Sequence, residues 1–268
     1  MGSLSDFSEK EILDHCLKVG QYVPGTTIYL ALSTADPTDA GTGLAEPGSN
    51  YARKVISFGA ASGRVITQDA DVDFDQATGS WGTITHWALF DAVSGGNFLA
   101  HGALSAGFPV GINDTPSVAS GEINVTFSSG GLSNYLAPLI LDWMFDGGTL
   151  AQPTNLYLAL VETTEMTDAS TGANIDELDM TGYSRTLANS WNAATDESPA
   201  LCDNNGAINV NSGSPLTGTA ETVVSFCLTD NITTGAGNVW FYSNTPDQLI
   251  NDGNTVSVPD GGFDITLA

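Results

Sequence analysis

Apolar residues recur at the three- and four-residue spacing of an amphipathic helix in two parts of the chain. The first is residues 12–17, where Ser5 or Ser8 can cap the helix by accepting a hydrogen bond from a free backbone N–H. The second is residues 136–144, which are followed by Gly147. The pattern predicts two short helices, each followed by a long stretch with a different periodicity.

After each helix, apolar and polar residues alternate, which is the period of a β-strand with one buried face. Turn-forming residues separate the alternating runs, for example at residues 95–97 and 113–116. Short strands between such turns are typical of antiparallel sheets. The runs that predict strands after the first helix are residues 27–32, 72–74, 84–89, 98–104 and 123–127.

The chain contains an internal duplication. Residues 4–7 (Leu-Ser-Asp-Phe) are matched by residues 132–135 (Leu-Ser-Asn-Tyr), and residues 27–32 by residues 155–160, at a common offset of 128 positions. An ordered series of matches, whose offset grows along the chain as the second copy gains loop residues, indicates tandem copies of a structural unit. The other matches are residues 12–14 with 140–142, 51–53 with 183–185, 83–91 with 222–230, 112–114 with 250–252, and 123–127 with 263–267.

These patterns together predict the fold class. We expect a mainly β protein with two tandem antiparallel β-sandwich or barrel-like domains, each with one N-terminal α-helix. The sequence Ser-Ser-Gly-Gly at residues 128–131 is the expected joint. We predict the first domain at residues 1–128 and the second, more diverged domain at residues 129–268.

The composition excludes some partners. The chain has 6 Lys and Arg residues against 31 Asp and Glu residues, which gives a net charge of −25. Nucleic-acid binding is not expected, because phosphate contacts need clustered Lys and Arg, and adsorption to anionic membranes is opposed as well. No segment approaches the roughly 20 apolar residues of a membrane helix, and no apolar run of signal-peptide length occurs. We expect synthesis in the cytoplasm without a signal peptide and without membrane insertion.

Four aspartates occupy every second position of one predicted strand. Asp69, Asp71, Asp73 and Asp75 would share one face of that strand. Several carboxylate oxygens on one face can bind Ca²⁺ or Mg²⁺. The glycine and glutamate of an EF-hand loop are absent, however, and the second copy has asparagines at its corresponding positions. A solvent-facing strand is the favoured interpretation, and a structural divalent-cation site is the alternative.

Catalytic signatures are absent from the sequence. It has no Gly-x-Ser-x-Gly motif, no His-Glu-x-x-His motif and no phosphate-binding-loop lysine. His15, His86 and His101 are scattered without metal-ligand spacing and are expected to be satisfied polar residues of the fold. We therefore expect no catalytic, cofactor-binding or metal-ligating residue, and no cofactor.

The cysteines are odd in number and have no Cys-x-x-Cys spacing. Buried free thiols at Cys16, Cys202 and Cys227 are the favoured interpretation. A bridge between Cys202 and Cys227 is the alternative. Neither arrangement indicates a zinc site.

Two of the five tryptophans have polar, loop-like surroundings. Trp81 stands between Ser80 and Gly82, and Trp191 lies in the polar insert at residues 189–203. Sugar rings stack on exposed aromatic side chains, so a glycan-binding protein would expose one of these two rings. The remaining tryptophans fall on apolar faces and are expected in the core; they are Trp87, Trp143 and Trp240.

An ordered set of motifs runs through the first copy. Its members are Leu-Ser-Asp-Phe at residues 4–7, Thr-Ile-Tyr-Leu-Ala-Leu-Ser-Thr-Ala-Asp-Pro at 27–37, Gly-Leu-Ala-Glu at 43–46, Tyr-Ala-Arg at 51–53, Phe-Gly-Ala-Ala-Ser-Gly at 58–63, Trp-Gly-Thr-Ile-Thr-His at 81–86, Ala-Leu-Phe-Asp-Ala at 88–92 and Gly-Gly-Asn-Phe-Leu-Ala-His-Gly-Ala-Leu at 95–104. In these motifs the first copy resembles a family of short bacteriophage structural proteins that are usually labelled tail fibre or minor tail proteins. The second copy keeps only part of the set, so the resemblance implies a doubled version of a single-domain virion protein.

The resemblance implies a non-enzymatic structural protein of a tailed-phage virion, exposed on the particle and held by contacts with other virion proteins, with self-association also open. A tail-associated position, as tail fibre, tail tip or baseplate accessory, is favoured by the family label. A capsid decoration protein on the phage head and a glycan-binding module that recognises a host surface glycan are the alternatives. The first domain contains five of the six basic residues, so we predict that it is the anchoring half and that the second faces solvent.

Overall fold

The computed structural model describes residues 2–197 and 199–267. The described part of the chain is mainly β, with several antiparallel sheets and an α-helix at the start of each copy, which confirms the predicted fold class. None of its helices is long and apolar enough to cross a membrane. We call residues 1–128 repeat 1 and residues 129–268 repeat 2.

Repeat 1 begins with a short strand and a helix. Ser5, not Ser8, caps the helix, because Ser5 Oγ accepts a hydrogen bond from the Ser8 backbone N–H at 3.2 Å. The elements are β1 (Gly2–Leu4), α1 (Asp6–Cys16), β2 (Ile28–Ser33), β3 (Lys54–Ile56), β4 (Val65–Thr67), β5 (Val72–Asp73), β6 (Gly82–Phe90), β7 (Phe98–Val110), β8 (Ser117–Val118) and β9 (Asn124–Thr126).

A seven-stranded sheet forms the body of repeat 1, in the order β3-β2-β6-β7-β1-β9-β4. Neighbouring strands are antiparallel except for β1 and β9, which are parallel. A second sheet pairs β5 with β8. The long strands β6 and β7 follow the predicted alternating runs, and each extends a few residues beyond them.

Repeat 2 follows the same order with longer connections. Its elements are α2 (Leu136–Phe145), β10 (Tyr157–Glu162), β11 (Thr186–Leu187), β12 (Ala200–Asp203), β13 (Ile208–Asn209), a 3-10 helix (Val210–Gly213), β14 (Glu221–Thr229), β15 (Val239–Ile250), β16 (Ser257–Val258) and β17 (Asp264–Leu267). Here the large sheet is divided into a four-stranded part, β11-β10-β14-β15, and a two-stranded part, β12-β17, while β13 pairs with β16.

One apolar core runs through both repeats. Ile12 and Leu13 of α1, Ile140 and Leu141 of α2, and Trp87 of β6 belong to the same cluster of buried side chains. Burial of such residues removes apolar surface from water, at roughly 1.5–3 kcal/mol for each large side chain. The two repeats therefore share the interaction that contributes most to folding.

Candidate functional site

The helix that begins each repeat packs on the other repeat. Helix α1 lies on β12 and β17 of repeat 2 and also touches β1 and β7 of its own repeat, and α2 lies on β4 of repeat 1. Strands β4 and β12 occupy corresponding places in the two repeats. The repeats therefore meet as two copies of one chain meet across a two-fold axis, with the same surface contributed from each side.

The aspartate at the same position in each helix makes the same bond across this joint. Asp14 Oδ1 accepts a hydrogen bond from the backbone N–H of Ala194 at 2.7 Å. Asp142 Oδ1 accepts one from the backbone N–H of Ala61 at 2.6 Å. Each alanine is the second of an Ala-Ala pair at matching places in the repeats. Hydrogen bonds to ionised groups are among the stronger ones, so these two bonds fix both helices in position.

Aromatic and polar contacts extend the joint around α1. His15 Nε2 donates to the Leu150 carbonyl oxygen at 2.9 Å, and the His15 ring lies 4.4 Å from that of Trp143. The Tyr22 ring packs edge-on against Trp143 at 5.8 Å. Burial lowers the pKa of His15, so its imidazole is neutral at neutral pH. This histidine therefore serves the contact between the repeats.

Glu9 is a buried carboxyl group in the same joint. It is 1% exposed, and its Oε2 accepts a hydrogen bond from the Ala200 backbone N–H at 3.2 Å. Burial raises the pKa of Glu9 to about 8, with smaller contributions in the same direction from Asp39 and Asp6, while the bond from Ala200 opposes the rise. Glu9 is therefore protonated in the folded protein at neutral pH and ionised in the unfolded chain.

We expect Glu9→Gln to make the stability of the protein less sensitive to pH. Because the folded-state pKa lies above the ordinary value of 4.5, the stabilisation is complete below that value and is lost as the pH rises through about 8. Between about pH 6.5 and pH 8 the parent protein should lose about 2 kcal/mol of its free energy of unfolding through Glu9. Denaturant unfolding at several pH values measures the difference.

The matched control is Glu11→Gln, which removes the same charge from α1 at a half-exposed position. It should follow the pH dependence of the parent protein. An equal loss of stability between pH 6.5 and 8 in the parent and in Glu9→Gln would contradict a raised pKa at Glu9.

A buried arginine holds the end of each repeat. In repeat 1, Arg53 Nε and Nη2 donate to the two carboxylate oxygens of Glu46, both at 2.9 Å. Arg53 Nη1 donates to the carbonyl oxygens of Ala92 and Gly95, at 3.2 and 2.7 Å, in the turn between β6 and β7. The guanidinium lies 3.4 Å from the centre of the Phe90 ring. One side chain thereby connects three segments.

Arg185 makes the corresponding set of bonds in repeat 2. Its Nη2 donates to Glu177 Oε1 at 2.7 Å, and both side chains are completely buried. Its Nη1 donates to the carbonyl oxygens of Asn231 and Ala236 at 2.7 Å each, in the turn between β14 and β15. The planar guanidinium suits this use, because its fork of donors reaches several acceptors at once.

The tyrosine two residues before each arginine completes the arrangement. Tyr51 OH accepts a hydrogen bond from the Leu32 backbone N–H at 2.7 Å, and Tyr183 OH accepts one from that of Leu160 at 3.0 Å. In the sequence these residues stand out only as a recurring Tyr-x-Arg motif. One feature of the sequence could have identified these residues as structurally important: Arg185, the one basic residue of repeat 2, lies in this motif.

His101 lies in the polar group that comes closest to a catalytic constellation. Its Nε2 is 2.8 Å from Asp39 Oδ1 and 3.3 Å from Ser3 Oγ. A Ser-His-Asp relay needs the serine and the aspartate on opposite ring nitrogens. Here both hydrogen-bonded partners meet Nε2, and Ser3 Oγ donates to Asp39 at 3.2 Å. The carboxylate on the other side of the ring, Asp36, lies 3.6 Å from Nδ1, which is beyond hydrogen-bond distance. The group connects β1, β7 and the loop before β3, and His86 lies elsewhere, bonded to Thr85 at 2.9 Å.

The aspartates of the alternating run are exposed, as the solvent-facing interpretation predicts. The strand itself is shorter than expected, since β5 covers only Val72–Asp73. Asp69 accepts a hydrogen bond from Ser57 Oγ, Asp71 from the Ser120 backbone N–H, and Asp75 pairs with Lys54 at 2.8 Å. In the described ranges, no three His, Cys, Asp or Glu side chains are placed to hold a metal ion.

The two tryptophans considered for sugar binding are buried, so neither presents the exposed ring that the glycan-binding alternative requires. Trp81 is 4% exposed. Its backbone N–H donates to the Val110 carbonyl oxygen at 2.9 Å, so the residue extends the pairing of β6 with β7 instead of lying in a loop. Its ring packs edge-on against Tyr51 at 5.3 Å. Trp191 is 7% exposed, and its Nε1 donates to the Ala188 carbonyl oxygen at 2.8 Å.

The three cysteines are buried free thiols, which confirms the favoured interpretation. Burial raises the pKa of Cys202 and that of Cys227 to about 12. Such thiols carry almost no thiolate at neutral pH and are poor nucleophiles.

Comparison with protein families gives a match for each repeat. The family model described as Podophage GP4 fiber I protein gp80 matches the chain twice, over residues 3–126 and over residues 131–266. No curated protein matches the chain significantly. The two matches cover most of the sequence and confirm both the phage-fibre resemblance and the duplication. The chain belongs to the Podophage GP4 fiber I protein gp80 family.

Proposed function

We propose that the protein is a non-enzymatic structural component of a tailed-phage virion, associated with the tail and held there by contacts with other virion proteins. The observation that carries this proposal is the double match to a phage fibre family. Such a protein acts through binding geometry, so its function requires a body of fixed shape.

The buried polar groups support a rigid body. Arg53 and Arg185 bind the turns at the ends of the repeats, and Asp14 and Asp142 fix the helices across the joint. Each of these groups is bonded to backbone of the same chain. Well-satisfied buried networks rigidify a fold and specify one arrangement. The two repeats would therefore act as a single unit on the particle.

The basic residues of repeat 1 no longer favour it as the anchoring half. Lys10 pairs with Asp14 at 2.6 Å, Lys54 with Asp75 at 2.8 Å and Arg53 with Glu46 at 2.9 Å. Arg64 and Lys18 donate to backbone oxygens of residues 128, 132 and 154 at the joint. These five side chains have acceptors within the chain, so they offer little free positive charge to an acidic partner.

Glycan recognition loses the feature that suggested it, because Trp81 and Trp191 are both buried. A ring that stacks on a sugar must be accessible to it. The proposal therefore places the protein among virion proteins that bind other proteins.

Immunogold electron microscopy of purified parent particles tests the position. Antibody raised against the full chain should label the tail, and antibody absorbed beforehand with purified protein should label nothing. Label spread over the head would replace the tail position with capsid decoration. Absence of label on intact particles, with strong binding to the purified protein, would overturn the proposal.

A further inference from the structure

The edge of β9 that β1 covers in repeat 1 is uncovered at β17 in repeat 2, although residues 130–132, the counterpart of β1, still lie along β15, where the Tyr242 N–H donates to the Gly131 carbonyl oxygen at 2.8 Å. In repeat 1, β1 lies between two strands: it pairs with β7, and its Gly2 pairs with Val125 of β9. In repeat 2, the corresponding segment still meets β15, through the Leu132–Phe241 bridge. Within the described residues it does not pair with β17. The sheet is therefore continuous in repeat 1 and divided in repeat 2.

The division leaves a cleft of about 400 Å³ between β15 and β17. Its walls are residues 129–131 of the joint, residues 241–244 of β15 and residues 263–266 of β17. Phe241, Phe263 and Ile265 are buried in the core. The cleft therefore exposes mainly backbone groups and polar side chains to a ligand.

Strand β17 directs unpaired backbone groups into the cleft. In an antiparallel ladder only alternate residues exchange hydrogen bonds with the partner strand. Next to β17 the bonded residue is Phe263, whose carbonyl oxygen accepts from the Asn204 N–H, beside β12, at 3.3 Å. The N–H and C=O groups of Asp264 and Thr266 consequently point away from β12. Inside the described ranges they have no hydrogen-bond partner. Both residues are exposed, whereas their counterparts beside β1 in repeat 1 are half-buried.

Bonds at the joint keep the chain's own segment from closing the ladder. Arg64 donates to the carbonyl oxygens of Ser128, at 3.0 Å from Nε, and of Leu132, at 2.8 Å from Nη1. The Gly130 backbone N–H donates to Asp168 Oδ1 at 3.0 Å. The segment is thereby held from both ends, away from β17.

We propose that this cleft binds an extended strand of another virion protein, which adds to the free edge of β17. An edge with unpaired N–H and C=O groups is a template for strand addition, and main-chain hydrogen bonds supply the affinity. The internal precedent is β1, which fills the equivalent place in repeat 1. This inference rests on the proposed virion function only in naming the source of the partner strand. The cleft itself is defined by the structure of repeat 2.

The chemistry of the cleft defines the partner strand. Gly2 and Ser3 occupy the equivalent place in repeat 1, so small side chains fit beside the neighbouring strands. Asp264 lines the cleft, whereas the nearby Asp168 is already paired with Arg64 at 3.6 Å, and Arg64 also donates to the Leu132 carbonyl oxygen at the joint. Asp264 is therefore the charge that the cleft offers to a partner. A strand with small residues and no acidic ones, uncharged or basic, is complementary to these walls.

A labelled peptide tests the site on the full-length protein. The probe is fluorescein-labelled Lys-Gly-Ser-Leu-Ser-Lys, which copies the β1 sequence between two basic residues. Its anisotropy should rise to saturation with added protein, and hydrogen exchange should slow at the amides of Asp264 and Thr266. A version of the peptide with every backbone nitrogen methylated should fail to bind, because neither of its edges can donate a hydrogen bond.

Two substitutions at one position separate the backbone from the side chain. Thr266→Pro removes the N–H that faces the cleft and leaves the ladder with β12 intact, and proline is tolerated at such an edge. It should weaken peptide binding about tenfold or more, through the lost hydrogen bond and the close approach of the ring. Thr266→Val keeps the N–H and should bind as the parent does. Thermal unfolding shows whether each variant is folded.

The outcomes are distinct. Binding that is lost with Thr266→Pro and with the methylated peptide supports strand addition. Equal binding to Thr266→Pro, or no binding by the unmodified peptide, overturns it. Self-association of the parent that Thr266→Pro abolishes would assign the strand to a second copy and overturn the heterologous partner. Immunogold labelling is independent of all three, so failure of the virion role is separately visible.

Discussion

Repeat 1 produced alone, as residues 1–128, should form a symmetric dimer and should not persist as a folded monomer. In the full chain α1 packs on β12 and β17, and α2 covers β4. Without repeat 2, the outer face of α1 and the surface beside Ile66 would both be exposed to water. A second copy presents the missing surfaces, because β4 corresponds to β12 and α1 corresponds to α2.

The magnitude follows from the residues involved. Ile12, Leu13 and Leu17 of α1 are completely buried in the full chain. Exposure of even two such side chains costs roughly 3–6 kcal/mol, which is a large part of the total stability of an ordinary domain. Folding of the fragment should therefore be coupled to dimerisation and depend on concentration.

Sedimentation velocity and circular dichroism over a range of concentrations measure this coupling. The fragment should sediment as a dimer when concentrated and lose structure on dilution, while the full chain should unfold in one transition at every concentration. Asp14→Ala should weaken the dimer, because Asp14 would accept the bond from Ala61 of the other copy. Glu11→Ala removes a charge from a half-exposed position on the same helix and should leave the dimer nearly unchanged.

A fragment that stays monomeric and folded on dilution would show that the repeats are independent. The same prediction changes how deletions are interpreted. Loss of particle binding after removal of residues 132–268 would not identify the anchoring half, since the remaining repeat lacks the strands on which α1 packs. Single substitutions on the surface of the intact chain are the appropriate probes.

The sequence predicted those features that depend on local periodicity. The alternation along residues 84–89 and 98–104 predicted β6 and β7, and the two cap candidates Ser5 and Ser8 placed the start of α1 within one turn. The matched segments predicted the duplication, which the two family matches confirm. Each of these signals lies within a few residues, or in a direct comparison of two segments.

The sequence could not show features that depend on which surfaces meet. Glu9 and Asp14 look like ordinary polar residues of a helix, and only the crossing of α1 to repeat 2 buries them. Trp81 follows a turn-like Gly-Ser pair and looks exposed, but its backbone extends the pairing with β7. The cleft beside β17 is likewise invisible, because the two repeats have similar strand patterns there and differ in pairing.

Arg185→Met should destabilise the protein by about 3–5 kcal/mol, the usual cost of breaking a buried ion pair from one side. The substitution leaves the Glu177 carboxylate completely buried without its cation. It also removes the donors to the carbonyl oxygens of Gly172 and Ala236 and one of the two donors to that of Asn231, which keeps its bond from Thr229 Oγ1 at 3.0 Å. Urea unfolding monitored by tryptophan fluorescence measures the loss.

Two comparisons separate the buried charge from the lost packing. Arg53→Met breaks the corresponding bonds to Glu46 and to the turn in repeat 1. Because Glu46 is 27% exposed and can be hydrated, the cost should be smaller, about 1–2 kcal/mol. Adding Glu177→Gln to Arg185→Met should recover part of the stability, because the unpaired charge is then absent. Equal costs at Arg53 and Arg185, with no recovery in the double variant, would mean that burial of the carboxylate is not the cause. A larger loss at Arg185 with partial recovery would show that solvent access to the carboxylate contributes to the difference in energy between the two copies of the motif.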